Sequence, residues 1–105
     1  MQIQVNTDKN IDGHQALIDH VEAVVIKSMG HFGTQITRIE VHLSDENGHK
    51  GGLHDKRCMM EARVEGRQPT AVTCEAATIE QALTGAAHKL KSSLESTLER
   101  LREHR

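Results

Sequence analysis

With 105 residues the chain is long enough for one domain, residues 1–105, with a single modest core and not two. It has one Phe and neither Tyr nor Trp, so Val, Ile, Leu, Ala and Met must build that core, and stacking of bases on aromatic rings has little to work with. Thirteen basic residues against 15 acidic ones leave a formal charge of −2, which excludes a strong overall pull toward polyanions and requires any nucleic-acid contact to use a local patch.

Residues 1–6 alternate, with Ile3 and Val5 on one side and Gln2 and Gln4 on the other, as in a half-buried strand. Asp12-Gly-His-Gln15 has the form of a capping box with Asp12 as N-cap. Beyond it Leu17, Val21, Val24, Val25 and Met29 share one helical face, and Gly30 and Gly33 punctuate the end. A second strand spans residues 36–44, with Ile39, Val41 and Leu43 inward and Arg38, Glu40 and His42 outward.

Residues 45–55 are polar and hold three glycines, a hairpin connection. Strand character returns from about Lys56 to Glu65, with Cys58, Met60, Ala62 and Val64 inward and Arg57, Met59, Glu61 and Arg63 outward. Gly66-Arg-Gln-Pro69 is a turn, and Val72, Cys74 and Ala76 take the inward positions of a fourth strand. Even-numbered inward positions on both strands require an odd-length connection, with Gly66 suited to a bulge. Thr78-Ile-Glu-Gln81 is a second capping box. It opens a long helix whose stripe is Ile79, Leu83, Ala86, Ala87, Leu90, Leu94, Leu98 and Leu101. Gly85 lies within that stripe, where it allows close approach of helix to sheet at a cost of ~1 kcal/mol against Ala.

The order is therefore β-α-β-β-β-α, an α+β fold. The first helix serves as a crossover between parallel strands, and strands two to four form an antiparallel meander. Each strand has one apolar face and each helix one apolar stripe, so both helices pack on one face of a four-stranded sheet and the other face stays wet. No apolar run nears the ~20 residues of a membrane span, and the N-terminus has no signal-peptide pattern. Two cysteines make no disulfide framework. A reducing cytoplasm is the expected location, with Cys58 and Cys74 as small apolar core residues.

This order, the length and several strings together resemble the ribosome hibernation promoting factor and ribosome-associated inhibitor family, some of whose members are described as sigma-54 modulation proteins. The strings are Asn10-Ile-Asp-Gly13, Arg38-Ile-Glu-Val-His-Leu43, Asp55-Lys-Arg-Cys-Met-Met-Glu61, Gly66-Arg-Gln-Pro69 and Gly85-Ala-Ala-His-Lys-Leu90. The resemblance implies a short-form, non-enzymatic protein without the C-terminal dimerisation domain of longer members. It further implies a seat in the decoding region of the small ribosomal subunit, where translation is stopped during stress or slow growth. Lys89 matches the helix-two Lys of the family's Asp-Lys-Leu pattern, with His88 in place of Asp. Lys27 lies where helix one usually has a basic residue. Ser92 and Ser93 replace the Arg and Gln often found there, and Phe32 alone stands for the rings many members carry after helix one.

The candidate RNA-binding residues are accordingly Lys27, Lys56, Arg57, Lys89 and Lys91. Phosphate contacts need only positive charge and donors at backbone spacing. Against this, Arg38 and Arg63 are better read as cross-strand partners of Glu40 and Glu61. Lys91 can pair with Glu95 one turn on, whereas Lys89 has Ser92 and Ser93 at those positions and keeps its charge free. His42, His49 and His54 with Asp45, Asp55 and Cys58 suggest a metal site, but the spacing matches no compact zinc signature and Cys58 faces in where His42 faces out. No glycine-rich phosphate loop or nucleophile–base pair is evident. No cofactor, membrane or small-molecule substrate is expected. The rival readings are a protein-interaction module on the same fold and a histidine-dependent metal binder.

Overall fold

The computed structural model describes residues 1–46 and 55–103, with side chains to residue 100. Its strands are β1 (Gln2–Thr7), β2 (Ile36–Asp45), β3 (Lys56–Val64) and β4 (Thr70–Ala76); its helices are α1 (Gln15–Met29) and α2 (Ile79–Glu103). They form one sheet in the order β1-β2-β3-β4. β1 runs parallel to β2, and β2, β3 and β4 are successively antiparallel. The expected α+β architecture and its β-α-β-β-β-α order are what the chain adopts.

Alternation decides the inner face. Ile39, Val41 and Leu43 of β2 and Cys58, Met60, Ala62 and Val64 of β3 are all buried. They meet Val21, Val25 and Met29 from α1 and Leu83, Ala86, Ala87, Leu90, Leu94 and Leu98 from α2 in one core cluster. Leu17 and Val24 pack at its margin. Ala82, outside the expected α2 stripe, is also fully buried. Leu101 lies beyond the residues whose side chains are described.

The two capping boxes behave differently. Thr78 Oγ1 accepts the Gln81 N–H at 3.1 Å, and the Thr78 carbonyl accepts the Ala82 N–H, so the N-cap of α2 is built as the pattern predicts. Asp12 does not cap α1. That helix begins at Gln15, with His14 as N-cap and no side-chain cap bond. Tertiary packing explains the shift. Gly13 passes so close to β1 that a Cβ on it would lie 2.8 Å from Thr7 Oγ1. Just before it, Asp8 Oδ1 accepts the Asn10 N–H, and Ile11 is buried. The 12–14 segment is thus committed to passing the strand before the helix starts. Thr78→Ala should therefore cost about 1 kcal/mol in urea unfolding. Asp12→Ala should change stability by less than about 0.5 kcal/mol.

Between α1 and β2 the chain makes a 3₁₀ segment over Gly30–Gln35, which buries Phe32 and turns at Gly33 with φ 61°. The β3–β4 connection turns at residues 64–67, where the Arg67 N–H meets the Val64 carbonyl at 3.0 Å. Gly66 has φ 77° there and lies inside the turn, not at a ladder bulge. The ladder pairs Cys58 directly with Cys74. Both are free thiols. Burial, with Cys74 alongside, pushes the Cys58 thiol up to about 12, which suits a core residue and not a nucleophile.

Candidate nucleic-acid interface

The register places like charges side by side on the open face of the sheet. Arg38 lies opposite Arg63, and Glu40 opposite Glu61. Ion pairs therefore run along each strand and not between strands as the sequence suggests. Arg38 meets Glu40 at 2.8 Å and also the Gln4 side-chain carbonyl, while Arg63 meets Glu61 at 3.9 Å. With i and i+2 on one side of a strand, each arginine finds its carboxylate on its own strand. Each pair keeps at least one partly solvated member and contributes about 1 kcal/mol at most.

The five candidate cations are not gathered into one patch. Lys56 begins β3 opposite Asp45 in the register, and its ammonium lies 3.2 Å from Asp45 Oδ2 and 3.3 Å from Asp55 Oδ1. Both carboxylates are buried, and their hydrogen bonds hold the Lys56 ammonium above its usual range. Arg57, on the open face, lies 3.7 Å from Glu46. Lys91 lies 4.0 Å from Glu95 on the next turn, the expected local use. Lys89 is exposed, but its ammonium is not idle: it donates to the Thr73 carbonyl at 2.8 Å. Thr73 belongs to β4, the sheet's edge strand, so Lys89 occupies an edge acceptor otherwise open to another chain's strand. Lys27 projects from α1 into a groove of about 470 Å³ between the helices, with His20, Ser28, Glu80 and Thr84. Among the described residues it has no ion-pair partner. Across that groove His20 Nε2 meets Glu80 Oε2 at 2.5 Å.

Two arginines that charge counting along the chain passes over are brought together by the fold. Arg67 from the β3–β4 turn and Arg100 near the end of α2 line a common groove with Gly66, Gln68 and Thr97. Arg100 lies eleven residues after Lys89, close to three full helical turns, so both fall on one flank of α2. That spacing is the signal in the sequence; the approach of Arg67 is tertiary and leaves none.

His49 and His54 of the suggested metal set lie outside the described residues. Of the remainder, Asp45 and Asp55 hold the Lys56 ammonium, Cys58 is buried, and His42 stands on the opposite face of the sheet. No described helix is long and apolar enough to cross a membrane.

A parallel β1–β2 pair joined by a helix, an antiparallel meander and two helices on one face define the class: a small α+β domain that presents its polar groups on one sheet face, the helix flanks and the turns. Residues 3–102 match the family described as sigma 54 modulation protein / S30EA ribosomal protein, and the chain belongs to that family. The N-terminal domain of Protein Y from Thermus thermophilus shares the fold, with a TM-score of 0.74 at 20% identity over 92% of this chain and 99% of that one. So does a ribosomal subunit interface protein from Coxiella burnetii, with a TM-score of 0.74 at 17% identity over 94% and 99%. Among curated protein sequences none matches the chain significantly.

Proposed function

We propose that this protein binds the small ribosomal subunit in the cytoplasm and represses translation during stress or slow growth, by contacting ribosomal RNA in the decoding region and without catalysing a reaction. The observation that carries this reading is the family match over residues 3–102. The likeness to a protein named for the ribosomal subunit interface agrees with it. Exposed Lys27 and Lys89 are the family-matched cations best placed to meet phosphates, because neither is held by a carboxylate among the described residues. Lys56, Arg57 and Lys91 spend part of their charge on neighbouring acids and contribute less to RNA contact.

Co-sedimentation with purified small subunits across a salt series tests the reading. Binding should fall as salt rises, with a log–log slope of about −0.7 to −0.9 per phosphate contact. Lys27→Glu plus Lys89→Glu should weaken binding at least roughly tenfold and make the slope shallower by about two. Binding that ignores salt and survives the double substitution would support a protein partner, the reading that the chain's net charge of −2 favours.

A further inference from the structure

The exposed surface of α2 divides along its length. Glu80 reaches His20 of α1, and Glu95 and Glu99 line a groove with His31 and Phe32 of the 3₁₀ segment. These three acids of α2 thus sit on the side facing α1 and the 3₁₀ segment. On the opposite flank, Lys89, Ser93, Ser96 and Arg100 fall within one narrow sector of the helix, spanning about 16 Å. Lys89 is tied to β4, and Arg100 faces the β3–β4 turn. Among the residues whose side chains are described, this flank carries cations and hydroxyls without a carboxylate.

At its far end lies the groove of about 380 Å³ shared by Arg67, Gln68, Thr97 and Arg100. Arg38, Arg57 and Arg63 each meet a carboxylate within 4.0 Å. Arg67 and Arg100, both exposed, meet none among the described residues. Two unspent guanidiniums beside an amide and a hydroxyl form a donor-rich concavity suited to an anion, and the planar fork of Arg matches phosphate oxygens two at a time.

We propose that this groove is a phosphate seat for RNA, and that the β4 flank of α2, from Lys89 to Arg100 and Arg67, is a track for the RNA backbone. The proposal rests on the ribosomal RNA reading above and adds two residues to it. RNA fits better than an acidic peptide because, among the described residues, the exposed large apolar side chains, Met1 and Ile26, are both elsewhere. A protein partner would find no anchor to bury on this flank.

The seat can be tested apart from the ribosome. Amide resonances of the labelled protein are followed while a short oligouridylate is added. Shifts centred on Gly66, Arg67, Thr97 and Arg100 that vanish in Arg67→Gln plus Arg100→Gln are expected. On small subunits the same variant should bind about tenfold more weakly, with a salt slope shallower by about two. Arg67→Lys plus Arg100→Lys should keep the slope and lose part of the affinity, because charge remains without the fork. Both variants should melt like the wild type, since both residues are exposed. Shifts that survive the Gln variant, or oligoglutamate outcompeting oligouridylate at these residues, overturn the seat. Unchanged ribosome affinity in the Gln variant overturns its part in the track while the ribosomal reading stands. Absence of ribosome binding by the wild type sinks that reading instead, and the oligouridylate titration alone then decides the seat.

Discussion

Lys56→Met should lower the melting temperature by several degrees, more than Arg57→Ala, although the two residues adjoin and both carry positive charge. The difference lies in what each leaves behind. Removing Arg57 frees Glu46, which is exposed and stays hydrated. Removing the Lys56 ammonium leaves Asp45 and Asp55, 8% and 4% exposed, as neighbouring buried carboxylates without their shared cation. Breaking a buried pair from one side costs far more than the pair contributes when intact. Asp55→Asn added to Lys56→Met should recover part of the loss, because one of the two carboxylate charges that the Lys56 ammonium offsets is gone. Losses that simply add would sink the account.

The pH dependence comes from the Lys56 ammonium, which the Asp45 and Asp55 carboxylates raise above the ordinary 10.5. A base whose pKa is higher in the folded state stabilises fully below its unfolded value. It loses that contribution as pH rises through the folded value. The stability gap between wild type and Lys56→Met should hold constant at neutral pH and close only above 10.5. Thermal melts of both proteins at neutral and strongly alkaline pH measure it. A gap that opens with alkali has the wrong sign for this arrangement.

Where period alone decides structure, the chain was readable. Alternation in residues 39–43 and 58–64 assigns the inward side chains within those spans correctly, because a strand with one buried face has a single workable phase. The α2 stripe is equally plain, since seven of its positions from Ile79 to Leu98 sit in or against the core. What local pattern missed is what distant contacts decide. Asp12 lost the cap of α1 to the packing of Gly13 on Thr7. The 3₁₀ segment is short and held by one buried ring, too little for a periodic signal. The charges were visible as types, but their pairing waited on register: a shift of two residues in β3 would separate Lys56 from Asp45. For that reason the basic string at residues 56–57 reads in sequence as a patch and in space as separate ion-paired cations on opposite faces of the sheet.

Gly85→Ala should destabilise the wild-type protein by about 1–3 kcal/mol yet stabilise a Cys74→Ala background by up to about 1 kcal/mol. In a solvated helix, Ala at this position would always be the better residue. Here α2 lies so close to β4 that a Cβ on Gly85 would collide with Cys74 Sγ. α2 does not yield cheaply, since Leu83, Ala86 and Ala87 on either side of Gly85 are buried in the core against which Cys74 packs. The same Cβ lies 3.5 Å from Cys74 Cβ, an ordinary contact, so deleting the sulfur alone makes room for it. Cys74→Ala by itself forfeits the contacts of a partly buried sulfur and should cost less than a large-to-small change deeper in the core. Urea unfolding of the four proteins in this cycle gives the coupling directly. A Gly85→Ala effect of the same sign in both backgrounds would mean that α2 shifts freely over the sheet, and that glycine is not what sets their separation.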